Sequence, residues 1–244
     1  MKKIHVWVRA VIQLLYFLFI PSAYTAAFNG VKYIFTQMGA KTHLEVTSFV
    51  AALIVLCVYT IVFGRFFCGF ACAFGSLGDA VRALYVFICK KLKKKPITMK
   101  AAVVKKLQVV KYFVLAIIAV TCFTGVYSKA KGFSPWDVFS MLHARNFKLG
   151  GYTLGVVLLV LIVIGMCFQE RFFCRVLCPM GAVFSILPVL PFSTLRRDRS
   201  ECIKGCRACT MKCPSDIELA PDTAPELSGD CFQCQKCIDT CPKG

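Results

Sequence analysis

Cysteine is the residue type in this sequence that is best suited to binding metal or to redox chemistry, and 16 of the 244 residues are cysteines. Eight of them lie in two runs near the C-terminal end, and each run is followed by proline. The runs are Cys202-x3-Cys206-x2-Cys209-x3-Cys213 and Cys231-x2-Cys234-x2-Cys237-x3-Cys241. The second has the spacing by which thiolates from a tight loop hold a [4Fe–4S] cluster, and the first differs by one extra residue. The pattern predicts two [4Fe–4S] clusters.

The ligand sets of these clusters follow from the pairing of the runs. Where two such runs occur together, the fourth cysteine of each ligates the other cluster. One cluster is expected to take Cys202, Cys206, Cys209 and Cys241, and the other Cys213, Cys231, Cys234 and Cys237. Zinc is the alternative, but eight thiolates in these spacings fit it poorly. Disulfides are not expected in a tail that faces the cytosol, where thiols stay reduced.

Four more cysteines lie in a motif that the chain contains twice. The copies are RFFCGFACAFG at residues 65–75 and RFFCRVLCPMG at residues 171–181. We refer to Cys68, Cys72, Cys174 and Cys178 as the motif cysteines. Each copy directly follows a long apolar run, so the position of the motif relative to a membrane decides what these cysteines can do.

The composition predicts a membrane protein rather than a soluble domain. The chain is 58% hydrophobic and 17% charged, with a mean hydropathy of +0.68. Four stretches without charged residues are about long enough to cross a hydrocarbon core of roughly 30 Å. They are residues 10–28, 46–64, 112–128 and 149–169. We therefore expect four transmembrane helices.

Basic residues predict the orientation of these helices. Lysine and arginine are concentrated at the N-terminus, in the segment after the second helix with its run at 90–95, and after the fourth helix. The positive-inside rule then places both termini in the cytoplasm, with the protein in the inner membrane. Most of the net charge of +18 reflects this bias, although the run at 90–95 is also suited to anionic lipid or an acidic electron carrier. A cleaved signal peptide at the start is the alternative.

Each motif closes a unit of two helices, so the two copies enter the membrane in the same direction. A pseudo-twofold axis along the membrane normal would then bring the motif cysteines together. We expect a third iron–sulfur centre there, with Arg65 and Arg171 offsetting its negative charge and glycines allowing close backbone approach. Two redox-active dithiols and simple packing residues are the alternatives. The mismatch between Ala73 and Pro179 is where the symmetry is expected to be least perfect.

The resulting fold class is an all-α membrane protein with four transmembrane helices in two parallel two-helix repeats, plus a small C-terminal two-cluster ferredoxin-like domain. The repeats are expected at residues 1–95 and 96–195, and the ferredoxin-like domain at 196–244. Residues 73–90 predict an amphipathic helix. Ser134 and Pro135 predict the start of a short outer helix, with Trp136 at the membrane interface. The apolar segment 176–195 contains three prolines and is not expected to cross.

In its helices, motifs and double ferredoxin run, the sequence resembles the NapH-like membrane ferredoxins. That family includes the quinol dehydrogenase subunit of periplasmic nitrate reductase systems and is similar to the C-terminal half of NosR. The resemblance implies electron transfer across the membrane between quinol, or a cytoplasmic carrier of the ferredoxin or flavodoxin type, and an extracytoplasmic redox protein. The outer domain that binds flavin in NosR has no counterpart here, so any flavin is expected on the partner. No nucleic-acid partner is expected.

Three functions are compatible with these residues. The first is a membrane-bound electron-transfer protein, an oxidoreductase subunit of the quinol dehydrogenase type. The second is an assembly factor that reduces a metal or a cysteine pair in another metalloenzyme. The third is a thiol–disulfide relay through the motif cysteines. The remaining cysteines, Cys57, Cys89, Cys122 and Cys167, lie in apolar runs and are interpreted as small packing residues.

Overall fold

Long helices make up most of the chain as far as Ile186, and the two helices described after that residue are short. The computed structural model describes residues 2–19, 23–128, 131–147, 150–191, 194–198, 200, 202–203, 205–217 and 225–243. Its α-helices are α1 Lys2–Phe19, α2 Ala23–Ala40, α3 Ser48–Phe63, α4 Phe66–Phe70, α5 Ala73–Lys91, α6 Ala101–Leu107, α7 Val110–Phe123, α8 Pro135–His143, α9 Thr153–Phe168, α10 Pro179–Ile186, α11 Ala208–Met211 and α12 Lys236–Thr240. No β-strand occurs in these ranges, where a single isolated bridge joins Arg196 to Pro225. The all-α prediction is confirmed.

The first predicted transmembrane helix, residues 10–28, is wrong as a single element. Helix α1 ends at Phe19 and α2 begins at Ala23, with their axes bent by 60°. Residues 20–22 lie outside the described part of the chain, and Pro21 is among them. Proline lacks an N–H and its ring clashes with the preceding turn, so a helix ordinarily breaks or kinks there. The apolar run therefore belongs to two helices.

The other three predicted spans fall on α3, α7 and α9. Within the described residues, one helical stretch, Ala101–Phe123, is long and apolar enough to cross a membrane, and the bent pair α1 and α2 would be a second. Helices α3 and α9 are apolar but have 16 residues each. The four crossings and the two membrane repeats therefore stay predictions.

Helix α8 begins as its sequence indicates but faces another direction. The Ser134 side chain accepts a hydrogen bond from the backbone N–H of Asp137 at 3.3 Å, and Pro135 occupies the first turn. Trp136, expected at the membrane interface, is instead 8% exposed and packs edge-on against Phe28. That expectation is wrong because α8 packs against α9 and turns the indole into the core.

The core lies between the helices and the second motif. The Phe74 ring packs 4.0 Å from the ring centre of Phe139 and 4.4 Å from that of Phe173. Phe74 belongs to the first turn of α5, and Phe173 begins a π-helical turn, Phe173–Leu177. The most densely aromatic part of the core is thus built on residues next to the motif cysteines and fixes their backbone.

Helices α5 and α10 each begin directly after the second cysteine of one motif copy. The predicted amphipathic helix at 73–90 is present as α5, which ends in Lys90 and Lys91. Helix α10 has only eight residues, too few to cross a bilayer, which agrees with the rejected crossing of segment 176–195. After α10 the chain returns to α3, where the backbone N–H of Leu190 donates to the carbonyl of Ile61 at 2.8 Å.

Candidate metal centre

The four motif cysteines come together in the core. All four are buried, at 7% exposure for Cys68, 4% for Cys72, 4% for Cys174 and 5% for Cys178. Their thiols are close enough to interact electrostatically across the two copies: Cys72 with Cys178, and Cys174 with Cys68. The fold therefore assembles both copies of the motif around one place, as the repeated sequence predicts.

The two copies share a local backbone that presents a sulfur at a helix start. Cys72 is the N-cap of α5 and Cys178 the N-cap of α10, with φ and ψ of −70° and 126° in the first and −71° and 115° in the second. The backbone N–H of Gly181 donates to the Cys178 sulfur at 3.1 Å. Ala73 and Pro179 both take the first helical position, so the expected asymmetry at that pair is wrong. Proline is pre-organised for this position and alanine adopts the same conformation.

The symmetry breaks earlier, at the motif arginines. Arg171 has a positive φ of 54°, whereas Arg65 has a φ of −79°. The first copy continues as the short α4 helix and the second as the π-helical turn. The symmetry is therefore imperfect where each motif begins and close where it ends.

The guanidinium of each motif arginine lies next to the glycine of the other motif copy. A Cβ on Gly181 would lie 2.8 Å from Nη2 of Arg65, and a Cβ on Gly75 would lie 3.6 Å from Nη1 of Arg171. The same Cβ atoms would each lie 2.8 Å from a cysteine carbonyl, that of Cys174 or Cys68. Real Cβ atoms do not approach backbone so closely, so glycine is required for the arginines and cysteine loops to interlock.

Arg171 is held by a buried ion network. Its Nη2 lies 2.6 Å from Oδ2 of Asp79 on α5, and the same carboxylate accepts from Arg9 at 2.8 Å. Burial alone would raise the pKa of Asp79, but Arg171, Lys236 and Arg9 hold it well below its usual range. The Asp79 carboxylate on α5 therefore pairs with one cation from α1, one from the second motif and one from the C-terminal segment.

Arg65 has buried donors without acceptors. Its Nη1 donates to the carbonyl of Gly229 and to Asp230, both at 3.3 Å. Within the described residues, its Nε and Nη2 have no hydrogen-bond partner. Thiolates of Cys68, Cys178 and Cys174 would lie within electrostatic reach of this guanidinium. A cation with unused donors beside four cysteines fits a negatively charged, thiolate-ligated group, so these residues suit an iron–sulfur centre.

Burial sets the protonation of three of the motif cysteines, Cys72, Cys174 and Cys178, in the metal-free chain. It raises the pKa of Cys72 and of Cys178 to about 12, and that of Cys174 well above the usual thiol value. Metal-free, these side chains are thiols at neutral pH. Binding of a metal would displace their protons, because the thiolate is the ligand.

Some of the C-terminal cysteines share a cavity. Five of the eight line one small space: Cys213, Cys231, Cys234 and Cys237, which are the predicted ligands of one cluster, and Cys209. Burial raises the pKa of Cys231 to about 12 and that of Cys237 to about 11. Cys213 is the fourth cysteine of the other run, and Cys209 belongs to the other predicted ligand set.

The remaining predicted ligands lie nearby. Arg197 donates to the Cys202 sulfur at 3.4 Å and is within electrostatic reach of Cys206 and Cys209. Cys209 is in α11 and Cys241 caps the C-terminal end of α12, and these two helices pack together. Across the described residues, no three cysteine, histidine or acidic side chains are arranged for a single metal ion.

Residues 231–234, which we name the Cys231–Cys234 loop, dock onto both motifs. The Phe232 ring is 2% exposed and lies 4.8 Å from the guanidinium carbon of Arg65 and 5.2 Å from that of Arg171. A Cβ on Gly69 would lie 2.3 Å from the Phe232 carbonyl oxygen. On the other side, Nη1 of Arg9 donates to the Cys234 carbonyl at 3.2 Å. The Cys231–Cys234 loop thus packs against Arg65 and Gly69 of the first motif and Arg171 of the second.

Sequence reasoning missed most of the residues that form the contact between the Cys231–Cys234 loop and the two motifs. Phe232, Asp79, Asp230 and Lys111 were not singled out, although Lys111 is 1% exposed and lies 2.6 Å from Asp230. Lys111 gave little signal, because a lysine at the end of a membrane helix ordinarily extends to the interface rather than pairing in the interior. Phe232 gave no signal, because an aromatic residue between two cysteine ligands fits many roles.

A cavity of about 790 Å³ lies next to Asp79 and Lys236. Its walls come mainly from α1, α5 and α12, with apolar side chains such as Leu14, Phe17 and Val86 and charged ones such as Asp79 and Lys236. The sequence did not predict this space. It offers an amphipathic molecule both apolar and charged contacts.

Comparison with known proteins bears on the motifs directly. A family of 4Fe-4S binding domains matches the chain twice, over residues 46–96 and 152–190. Each match contains one copy of the repeated motif together with the apolar helix before it and the helix after it. The similarity therefore covers the motif cysteines rather than the C-terminal runs.

Several relatives extend the similarity over most of the chain. An uncharacterized protein of Methanocaldococcus jannaschii is 33% identical over 78% of this chain and 67% of its own length. Ferredoxin-type protein NapH of Haemophilus influenzae is 25% identical over 83% of this chain and 68% of NapH. Regulatory protein NosR of Pseudomonas aeruginosa is 26% identical over 72% of this chain and 24% of NosR. No solved structure matches the chain significantly.

Together, the helical fold, the cysteine sites and these similarities define an iron–sulfur membrane protein of electron transfer. The chain belongs to the NapH-like membrane ferredoxin family, and the resemblance to part of NosR is confirmed.

Proposed function

We propose that this protein carries electrons between a cytoplasmic donor or the quinone pool and an extracytoplasmic redox partner. The observation that carries the proposal is the contact of the Cys231–Cys234 loop with both repeated motifs. Gly69, adjacent to Cys68, has room for nothing larger than hydrogen beneath the Phe232 carbonyl. This contact holds a predicted cluster-ligand loop against both repeated motifs, and such proximity is what passage of electrons between two carriers requires.

The C-terminal residues are proposed to hold two [4Fe–4S] clusters. One set is Cys213, Cys231, Cys234 and Cys237, and the other is Cys202, Cys206, Cys209 and Cys241. The first set is supported by the shared cavity and the second by the packing of α11 against α12. When bound, such clusters accept and release single electrons at potentials set by hydrogen bonds, burial and charge.

The motif cysteines are proposed to hold a third iron–sulfur centre. Three observations support it: all four are buried, the 4Fe-4S family matches over both copies, and Arg65 keeps unused donors beside them. A thiol–disulfide relay is less well supported. Its reactive species is the thiolate, and burial raises the pKa of Cys72 and Cys178 to about 12.

The membrane arrangement proposed is four crossings with both termini and the ferredoxin-like domain in the cytoplasm. Apolar side chains on the outside of three helices support it: Ile54, Val55 and Val58 of α3, Phe113, Ile117 and Val120 of α7, and Val157, Val160 and Leu161 of α9 are exposed. Soluble proteins rarely leave such a continuous surface in water. A 16-residue helix spans about 24 Å, so α3 and α9 would need the adjoining loops or a thinned bilayer to cross.

Quinol is proposed as one source or sink of electrons, and the cavity beside α12 supports this. The cavity has apolar side chains that would contact a prenyl chain and charged side chains that include Lys236, which precedes the predicted ligand Cys237. The outer partner, with any flavin it carries, would meet the opposite side of the membrane.

Anaerobic purification followed by iron analysis and electron paramagnetic resonance (EPR) tests the proposal. We expect about twelve irons per chain if three [4Fe–4S] centres are present, and about eight without the third. Reduction by menaquinol or by reduced ferredoxin, with continuous turnover when an outer acceptor is supplied, supports the electron carrier. Iron-loaded protein that is reduced once but never turns over would overturn it in favour of an assembly factor.

A further inference from the structure

The two motif arginines occupy equivalent places but differ in their hydrogen-bond partners. Arg65 is 1% exposed and Arg171 is 0% exposed, and each crosses to the glycine of the other motif. A purely electrostatic role would make the two interchangeable. Their hydrogen-bond partners indicate instead that Arg65 contacts the site at the motif cysteines and that Arg171 holds parts of the protein together.

All three nitrogens of the Arg171 guanidinium donate to acceptors within the protein. Its Nε and Nη2 lie 3.3 and 2.6 Å from the two carboxylate oxygens of Asp79. Nη2 also donates to the Gly69 carbonyl at 2.8 Å, and Nη1 donates to the Cys68 carbonyl. Each of its three nitrogens therefore has a protein acceptor. This guanidinium anchors the backbone of the first motif to α5.

The donors of Arg65 are used only in part. Nη1 reaches Gly229 and Asp230, while Nε and Nη2 are buried and find no acceptor in the part of the chain that the structure describes. A buried donor left unpaired costs about 1–3 kcal/mol, and more when it is charged. Proteins rarely keep such donors unless something else accepts from them.

The unused donors of Arg65 lie at the motif cysteines. The interlock with Gly181 brings Nη2 next to the loop in which the Gly181 N–H donates to the Cys178 sulfur. Cys68 and Cys174 are within electrostatic reach of the Arg65 guanidinium, and Cys174 is also within reach of Arg171, so the unpaired donors rather than the charge distinguish the two arginines. The missing acceptor is therefore expected among the sulfur atoms at this site.

We infer that Arg65 donates its Nε and Nη2 hydrogens to the sulfur atoms of the group held by the motif cysteines, whereas Arg171 positions the first motif. This inference rests on the proposed function, since it requires an iron–sulfur group at the motif cysteines. The same guanidinium stacks on Phe232 and binds Asp230. Arg65 thus joins the motif cysteines to the Cys231–Cys234 loop.

Such donors have a measurable effect on redox behaviour. Hydrogen bonds and positive charge at the sulfurs stabilise the reduced form, which carries one more negative charge, and so raise the midpoint potential. Lysine keeps the charge but lacks the planar fork of donors, so it cannot replace both contacts. Loss of the donors at Arg65 should make the centre harder to reduce.

The chain offers a matched pair of variants, Arg65→Lys and Arg171→Lys. Each is purified anaerobically as the full chain, its iron is counted, and its centres are titrated potentiometrically with EPR detection. The titrant gives up one electron and the centre gains it, with no bond made or broken. For Arg65→Lys we expect a reduced-to-oxidised ratio at least about tenfold lower at a fixed potential for the motif centre, which is about 59 mV for one electron. For Arg171→Lys we expect lower iron occupancy or stability and an unchanged potential in the loaded fraction.

The outcomes separate this inference from the proposed function. Iron of only about eight per chain in the unmodified protein, with titratable thiols at the motif cysteines, would refute the third centre and the inference together. A third centre whose potential is the same in Arg65→Lys, or shifts equally in both variants, would refute the inference alone.

If Arg65→Lys fails to load iron, Phe232→Leu replaces it. That variant keeps the Arg65 donors but removes the stacked ring that fixes them, and a shifted potential of the motif centre is expected there too. An unshifted potential in a loaded Phe232→Leu protein would overturn the inference.

Discussion

Nη2 of Arg171 lies 2.6 Å from Oδ2 of Asp79, and both side chains are almost fully buried. Asp79 is also 2.8 Å from Arg9 and 4.0 Å from Lys236. Replacing it with asparagine keeps the shape but leaves Arg171 buried without a counter-charge. Removing one member of a buried pair typically costs about 3–5 kcal/mol. We expect Asp79→Asn to lower the unfolding free energy by that amount, measured by denaturant titration in nanodiscs.

Asp137→Asn is the matched control, because the Asp137 carboxylate is 30% exposed, three times as much as that of Asp79, and lies 3.7 Å from Lys32. Pairs of that kind contribute about 1 kcal/mol or less. Equal losses in Asp79→Asn and Asp137→Asn would contradict the importance of the buried network.

The destabilisation by Asp79→Asn should not depend on pH between 6 and 9. The folded pKa of Asp79 is lowered by Arg171, Lys236 and Arg9 against the opposing effect of burial. Its contribution is therefore fully present above the unfolded value of about 3.9 and is lost only as pH falls through the lower folded value. Unfolding of both proteins at several pH values tests this. A difference that shrinks between pH 9 and pH 6 would show that the carboxylate takes up a proton in the folded state.

Gly181→Ala should disrupt the interlock of the two motifs. Its Cβ would lie 2.8 Å from both the Cys174 carbonyl and Nη2 of Arg65, so the motif backbone must shift. Overpacking of this kind costs about 1–3 kcal/mol. We expect a lower melting temperature and weaker iron binding at the motif cysteines. Gly150→Ala is the control, because its Cβ would meet nothing within 4 Å, and similar behaviour of the two variants would refute the steric argument.

The exchange of fourth ligands between the C-terminal runs can be read from EPR signals. Cys213 lines the same cavity as Cys231, so Cys213→Ala and Cys231→Ala should abolish the same cluster signal, each with a loss of about four irons. Cys202→Ala should abolish the other signal. If Cys213→Ala instead matches Cys202→Ala, the ligands are not exchanged. Cys89→Ala controls for loss of a buried cysteine outside both runs.

The exposed face of α7 should contact lipid. Ile117 lies in its middle and is 63% exposed, and arginine at the centre of a membrane helix costs about 2.5–3.5 kcal/mol on insertion scales. We expect Ile117→Arg to reduce the membrane-inserted fraction, measured by protease protection and fractionation. Ile97→Arg, at an equally exposed position between α5 and α6, should insert normally. Normal insertion of both variants would argue against a lipid-facing α7.

The parts of this fold that the sequence predicts are those specified by neighbouring residues. Hydropathy located α3, α7 and α9, and the serine–proline pair located the start of α8. The repeated motif predicted the meeting of four cysteines, because two similar units in the same orientation have an axis between them. Each of these inferences uses residues within one turn or one repeat.

The parts that were missed depend on contacts between distant residues. Arg65 bonds to Asp230 across 165 positions, and Phe232 packs between two arginines that no local pattern relates to it. Trp136 was assigned to the interface by residue type, but the packing of α8 decided its burial. The difference between the motif arginines was likewise invisible, since both copies begin with the same four letters and only their partners differ.

The pairing of Lys111 with Asp230 has a consequence for biosynthesis. Lys111 is buried and 2.6 Å from that carboxylate, which Arg65 shares. Both cations are synthesised long before Asp230 leaves the ribosome, and until then neither has this counter-ion. The nascent chain therefore cannot seal its interior before the last cysteine run is made. Burial of these two cations and docking of the Cys231–Cys234 loop are therefore expected to occur together, because an unpaired charge is costly to bury.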